Sequence, residues 1–306
     1  MKHVAVLMGG WSAERPVSLN SGKGCADALE TRGYKVTRVD VGRDIAETLM
    51  KLKPDVAFNA LHGKGGEDGV IQGLLEVLRI PYTHSGVLAS ALATRKDQAK
   101  VVLAAAGIPV AEGVTVDRRE AAQRHVLAPP YVLKPVCEGS SLGVVFVNEG
   151  RAHPPQEVGR EDWPYGDELL AERYVAGKEL TCGVMGDRAL GVIEVRPVSE
   201  GWYGYDAKYA KGGSLHVLPA EIKPKIYHEV QNLSVRAHQA LGCRGVTRAD
   251  FRFDEAKGED GELICLEVNT QPGMTETSLV PDMAIHEGIS FAELVAWMVE
   301  DASCDR

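Results

Sequence analysis

The sequence has little of what marks a secreted, membrane-spanning or nucleic-acid-binding chain. No apolar run approaches the roughly 18 residues of a membrane span. The one near the start, Val4 to Met8, stops at Gly9-Gly10 and is too short for the core of a signal peptide. Basic charge is in deficit: 34 Lys and Arg against 43 Asp and Glu leave a net charge of -9. That argues against nucleic acid or an anionic membrane as the main partner, so any phosphate ligand must be met by local lysines and backbone amides. The six cysteines, Cys25, Cys137, Cys182, Cys243, Cys265 and Cys304, have no CxxC or zinc spacing and read as reduced thiols in a cytoplasm. The nine histidines show no metal-ligand pattern, and there is no internal repeat or low-complexity tract. Neither familiar glycine signature for phosphates is present. Asp40 ends the second strand where a dinucleotide-binding fold keeps its ribose-binding acid, yet the first turn lacks G-x-G-x-x-G, and no Gly-Lys-Ser/Thr opens a helix.

What is there is ordinary globular composition, 44% hydrophobic and 25% charged over 306 residues, enough for two or three domains. Residues 1 to about 95 alternate strand and helix in the manner of an open, mainly parallel sheet, with a helix over Ser18 to Thr31 stopped by Gly33. Ligands of such sheets sit at the carboxyl ends of strands. Two stretches fall there, Gly9 to Arg15 and His62 to Gly69. Glu14 in the first precedes a helix and reads either as a cap or as a ligand-binding carboxylate. Lys96-Asp97 then opens a helix that ends at Gly107-Ile108-Pro109.

The next signal is strand, small-residue loop, strand: Tyr131 to Pro135, Glu138-Gly139-Ser140-Ser141-Leu142-Gly143, Val144 to Val147. Such a loop can fold over phosphates and offer N–H and O–H donors, with Lys134 adding positive charge from the strand. Leu169 to Val175 is an apolar strand that ends at Ala176-Gly177-Lys178-Glu179. Gly201 to Gly213, long and rich in glycine and tyrosine, reads as a lid. An amphipathic helix over Tyr227 to Leu241 leads into a hairpin, and another over Phe291 to Val299 closes the chain.

That hairpin carries the strongest pattern. In Val246 to Phe253, period-two alternation puts Arg248 and Asp250 opposite Ala249, Phe251 and Phe253. In Leu263 to Asn269 it puts Glu267 and Asn269 opposite Ile264, Leu266 and Val268. Folded together, the strands present Arg248, Asp250, Glu267 and Asn269 on one face. A solvated face with a cross-strand ion pair is one reading. The other is a site for a hard cation such as Mg2+, which oxygen ligands suit. The Pro272-Gly273 turn that follows frees backbone N–H groups beside it, which favours a charged intermediate.

Arg248-x-Asp250 followed by Leu266-Glu267-x-Asn269-Thr270-x-Pro272-Gly273-Met274-Thr275-x-x-Ser278-Leu279 resembles the C-terminal signature of the D-alanine:D-alanine ligases of the ATP-grasp superfamily. The likeness runs through nearly the whole chain. It implies an α/β, three-domain ATP-grasp architecture in which an open, mainly parallel sheet (1–95) precedes two α+β domains (96–178 and 179–306) that clasp ATP. The implied reaction is ATP-dependent ligation of two D-alanines through a D-alanyl phosphate, for peptidoglycan, by a cytoplasmic homodimer. The implied metal is two Mg2+ ions, with Mn2+ as a substitute. A ligase for another acceptor such as D-lactate is the alternative within the superfamily, and a non-catalytic nucleotide-binding module the alternative outside it.

By the same resemblance, Glu14 holds the ammonium of the first D-alanine, with His62 beside it. ATP falls to Lys96, Lys134, Glu138, Gly139, Ser140, Ser141, Glu172, Arg173, Val175, Glu179, Lys208 and Asn269. Asp250, Glu267 and Asn269 take the metal. Arg248 and the Gly273 N–H stabilise the tetrahedral intermediate, and Ser278 and Leu279 hold the second D-alanine carboxylate. Lys208 and Tyr209 act from the lid, and Glu14, Ser140 and Tyr209 form a hydrogen-bonded chain. The chain departs from the family at Pro16, at Arg95, and in the proline-bearing stretch 151–166, which is expected to loosen the central domain or move the adenine pocket.

Overall fold

In the computed structural model, which describes residues 1–197, 214–275 and 278–305, the first part of the chain runs β1 (His3–Met8), α1 (Arg15–Thr31), β2 (Lys35–Asp40), α2 (Ile45–Leu52), β3 (Val56–Asn59) and α3 (Val70–Leu78). The strands form a parallel sheet in the order β2-β1-β3. Val4 to Leu7 of the central strand are fully buried, as a parallel strand covered on both faces requires. Helix α1 begins at Arg15 rather than Ser18, because Pro16 fits a first turn whose N–H groups have no helical partner. It stops at Gly33 as the sequence indicates. The left-handed backbone there (φ 83) lets the Gly33 and Tyr34 N–H groups reach the Glu30 and Leu29 carbonyls.

Helices α4 (Val87–Thr94) and α5 (Lys96–Ala105) lead to β4 (Gly113–Asp117), α6 (Arg118–Gln123), β5 (Tyr131–Pro135), β6 (Val145–Val147) and β7 (Glu168–Arg173). These strands make an antiparallel sheet in the order β4-β7-β5-β6. The proline-bearing stretch holds a single 3-10 turn, Gln156–Gly159, and packs firmly. Val158 is fully buried against Leu133 and Leu169, and the Arg118 guanidinium donates to the Val158 and Arg160 carbonyls.

The rest comprises β8 (Lys178–Met185), β9 (Arg188–Pro197), β10 (Ser214–Val217), α7 (Pro224–Ala240), β11 (Val246–Asp254), β12 (Glu262–Asn269), α8 (Leu279–His286) and α9 (Phe291–Asp301). Its antiparallel sheet runs β10-β9-β8-β11-β12, and one face packs on α7 together with α4 and α5. Helix α8 packs on β8 and β9 of the same sheet and α9 packs on α1, and the two helices share with the first sheet a core of Val4, Val6, Leu29, Ile193, Val280, Leu294 and Met298 among others. Among the described residues no helix is long and apolar enough to cross a membrane.

The β11–β12 hairpin sets Arg248 opposite Asn269 and Asp250 opposite Glu267. One expectation about it needs correcting. A β-bulge after Asp250 pairs Phe251 with Cys265 and leaves Leu266 as an extra residue. Alternation therefore breaks: Leu263, Cys265 and Val268 enter the core, while Leu266 turns to the same cavity as Glu267. Ile264 packs with Ala111 and Val175.

Candidate active site

Between the two antiparallel sheets lies a cavity of about 450 Å³, within the size range of small-molecule sites. Its apolar lining comes from both sides, Val132, Val144 and Phe146 from the β5–β6 region and Val195 and Leu266 from β9 and β12 across the gap. An apolar slot of this kind suits a flat aromatic base.

One wall carries a buried charge triad. Glu172, 4% exposed on β7, accepts from the Lys100 ammonium on α5 and from the Lys134 ammonium on β5. Burial alone would raise the Glu172 carboxyl, but Lys134 and Lys100 outweigh it and hold it below the ordinary carboxylate range. Lys134 is pushed the other way by burial, and Glu172 and Glu267 together keep it above its usual value. Lys134 therefore stays cationic beside the loop that follows its strand.

In that loop Ser140 and Ser141 adopt left-handed backbone, with φ of 51 and 60. The conformation costs non-glycine residues about 1 kcal/mol or more and marks a loop held by its surroundings. Part of that hold is visible, since the Ser140 hydroxyl donates to the Glu14 carboxylate across 126 residues of sequence. Glu14 sits at the N-cap of α1, yet its side chain makes no capping bond. Its carboxylate lies instead against the His62 loop, where a Cβ on Gly63 (φ 69) would come within 2.6 Å of Oε2.

Lys96, first residue of α5, bridges the parts. Its ammonium donates to the Glu138 carbonyl at 2.6 Å and lies 3.4 Å from the Glu267 carboxylate. A smaller hollow of about 50 Å³ beside the main cavity is lined by Glu67, Lys96, Glu138, Glu267 and Asn269. Burial and the nearby Glu14 push the Glu67 carboxyl up to about 8. The same two causes raise Glu138.

On the hairpin, Arg248 donates to both oxygens of Asp250, at 2.8 and 2.7 Å, and Thr181 adds a third bond to Asp250 at 2.6 Å. Asn269 Oδ1 accepts from the Gln271 N–H at 2.8 Å. Among the described residues no three His, Cys, Asp or Glu side chains gather as a metal cluster. Asp250 and Glu267 nevertheless line the main cavity, with Asn269 in the hollow beside it, and a donor set of two carboxylates and an amide oxygen suits Mg2+, which is commonly held by one or two carboxylates plus substrate phosphates. Beyond the turn, the Ser278 hydroxyl accepts from the Thr275 N–H at 3.0 Å and lies 2.7 Å from the Thr275 hydroxyl, and a Cβ on Gly273 would stand 3.1 Å from the Ser278 Oγ.

Two profiles match the chain, the D-ala D-ala ligase N-terminus over residues 39–85 and the D-ala D-ala ligase C-terminus over residues 102–300. The chain belongs to the D-alanine–D-alanine ligase family. Relatives bearing that name from Methylobacterium radiotolerans and Beijerinckia indica are 68% and 67% identical, each alignment covering 100% of this chain and 99% of the relative. A crystal structure of the Bacillus anthracis ligase complexed with ATP is 27% identical, with a TM-score of 0.83 over 98% of this chain and 97% of that one. The likeness gives the fold as ATP-grasp, a parallel sheet followed by two antiparallel ones.

Within this ligase fold the residues singled out from sequence fall into two groups. Lys96, Lys134, Glu138, Gly139, Ser141, Glu172, Arg173, Val175, Glu179, Asp250 and Glu267 line the main cavity, and Asn269 the hollow beside it. Glu14, His62, Ser140, Arg248, Gly273, Ser278 and Leu279 are absent from both linings. His62 is buried, with Nε2 3.1 Å from the Ser21 hydroxyl. Burial, then the charge of Arg248, push it down to about 4, against a hydrogen bond to the Gln271 backbone. Leu279 opens α8 and packs on the core it shares with the first sheet. Lys208 and Tyr209 lie outside the described residues.

The sequence reading missed Lys100, Glu67 and Leu266. Nothing local marks Lys100, whose partner is 72 residues away. Glu67 carried a signal in its Gly-Gly-Glu-Asp-Gly context, and Leu266 was hidden by the bulge.

Proposed function

We propose that this protein joins two D-alanines to D-alanyl-D-alanine with ATP, and that the three parts 1–95, 96–178 and 179–306 contribute the first-substrate wall, the phosphate loop and the hairpin respectively. A carboxylate in water is a poor electrophile. Transfer of the ATP γ-phosphoryl group to it gives an acyl phosphate that an amine can attack, releasing phosphate. The observation that carries the reading is the contact of Glu14 with Ser140: it brings a buried carboxylate, suited to a substrate ammonium, up to the loop beside the cavity.

In this reading the base lies in the apolar slot with its polar edge toward Glu172, and the ribose reaches Glu179. Lys96, Lys134 and the 138–141 loop take the phosphates, and Arg173 and Val175 line the slot's edge. Asp250, Glu267 and Asn269 would hold Mg2+, which neutralises phosphate charge and polarises the transferring group. Arg248 and the Gly273 N–H face the oxyanion, and Ser278 with Leu279 receives the second carboxylate. His62, neutral at working pH because burial disfavours its charged form, offers a hydrogen bond without adding charge beside Arg248. Lys208 is assigned to the phosphates and Tyr209 to the acceptor by resemblance alone, both lying outside the described residues. A role in cell-wall synthesis, a cytoplasmic location and a homodimeric state complete the proposal.

The deciding assay incubates purified protein with ATP and Mg2+ and follows phosphate and condensation product with D-alanine, L-alanine, D-lactate and glycine. Dipeptide from D-alanine, with one phosphate released for each, is the expected result. Release without D-alanine dependence, or an ester with D-lactate as the main product, would replace the reading.

A further inference from the structure

Beside the site a knot of buried amides joins two stretches that the chain keeps far apart. Gln271, 1% exposed, stands two residues beyond Asn269 and two before Gly273. Its Nε2 donates to the Leu61 carbonyl, and its Oε1 accepts from Asn59 Nδ2 at 2.8 Å. The same Asn59 nitrogen donates to the Gly66 carbonyl at 2.9 Å, and Asn59 Oδ1 accepts from the Leu61 N–H at 3.2 Å. On the main chain, the Gln271 N–H donates to Asn269 Oδ1 and the Gln271 backbone meets the His62 ring.

One side chain thus clamps the end of β3, which leads into His62 and Glu67, to the turn that carries Asn269 and Gly273. Residues 271–275 belong to no strand or helix, so no sheet ladder fixes that spacing. A buried amide left without its partners is costly, so the Gln271 side chain resists leaving the Leu61 carbonyl and Asn59.

We propose that Gln271 is a positioning residue that fixes the gap between the two substrate subsites and so decides whether the acyl phosphate meets an amine or water. This rests on the ligase reading above. When the amine attacks the acyl carbon, a C–N bond forms, the bond from that carbon to the phosphate oxygen breaks, phosphate leaves and the nitrogen loses its surplus proton. When water attacks the same carbon, a C–O bond forms, the same phosphate and a proton leave, and D-alanine returns. Each path consumes one ATP, and only the first makes dipeptide. A misplacement of about 1 Å is enough to slow the oriented path on the order of 100-fold, while water needs no such placement.

The test compares Gln271→Met with Gln72→Met. Gln72 donates to the same Gly66 carbonyl at 2.9 Å from α3 and, among the described residues, has no hydrogen bond to the turn. Phosphate and D-alanyl-D-alanine are measured together at saturating substrates, with nucleotide affinity and melting temperature alongside. For Gln271→Met the expected result is phosphate per dipeptide raised about threefold or more, dipeptide synthesis slowed roughly 10- to 100-fold, and nucleotide affinity within about twofold of the parent. For Gln72→Met the melting temperature falls and the ratio stays at one. The proposal is overturned if folded Gln271→Met keeps a ratio of one, or if Gln72→Met raises it equally. Should Gln271→Met not fold, Gln271→Asn, an amide one methylene shorter, is judged by the same ratio. A parent protein that makes no dipeptide would instead sink the ligase reading.

Discussion

Glu172 stands between two ammoniums that it alone separates, and Lys100 on its far side is the member that sequence could not supply. Replacing Lys100 by Met leaves a buried carboxylate with one cation instead of two. We expect nucleotide affinity to fall about 10-fold and the melting temperature to drop, with the KM for D-alanine unchanged. Nucleotide titration beside D-alanine kinetics checks this, and a loss confined to D-alanine would remove the triad from base binding. Arg248→Ala should lower kcat about 100-fold with a smaller change in ATP affinity, because the charge it faces develops in the transition state. An effect on ATP affinity alone would make it a phosphate ligand. Gly63→Ala combines a left-handed backbone with a close approach to the Glu14 carboxylate. It should abolish D-alanine turnover while nucleotide still binds, which a binding assay on the inactive variant would verify.

The hairpin shows both how far an element can be read from sequence and where the reading stops. Arg248, Asp250, Glu267 and Asn269 were legible because period-two alternation leaves charged residues nowhere else to go, and their pairing follows from a register that two apolar faces impose. The bulge was not legible, since an extra residue changes the facing of its neighbours without any change in composition. Lys100 and Gln271 were silent for another reason: their partners lie 72 and about 210 residues away. Leu266→Ala tests the bulge directly. Removing its apolar surface from the cavity should weaken ATP binding by about 1–2 kcal/mol and leave hairpin stability nearly intact, as the side chain is not in the core. Unfolding that costs several kcal/mol, with unchanged ATP affinity, would return Leu266 to the core face where strict alternation had put it.

At the scale of the whole molecule, two histidines buried without charge add to the response to acid. His62 and His238, the latter 2.8 Å from the Thr247 hydroxyl, are each pushed down to about 4, first by burial. The unfolded chain, with histidines near their ordinary value, binds more protons between about 6.5 and 4. The histidines' share of stability is therefore complete above that window and is lost as pH falls through it, on the order of 1–3 kcal/mol per histidine. Denaturant melts of His238→Gln across pH 4–7 should show a shallower slope than the parent, and an identical slope would remove His238 from the account. A different consequence follows from the core shared by the first sheet and helices α8 and α9. Lys2 meets Glu300 across 298 residues of sequence at 2.5 Å, Tyr82 pairs with Ser303, and the inner face of β1 has α9 as part of its cover. On a ribosome, then, what is made first has to wait. A nascent chain arrested before Phe291 leaves Val4, Val6 and Leu29 without Leu294 and Met298 and stays open to protease, while the two antiparallel sheets, most of whose packing comes from already emerged residues, are protected earlier.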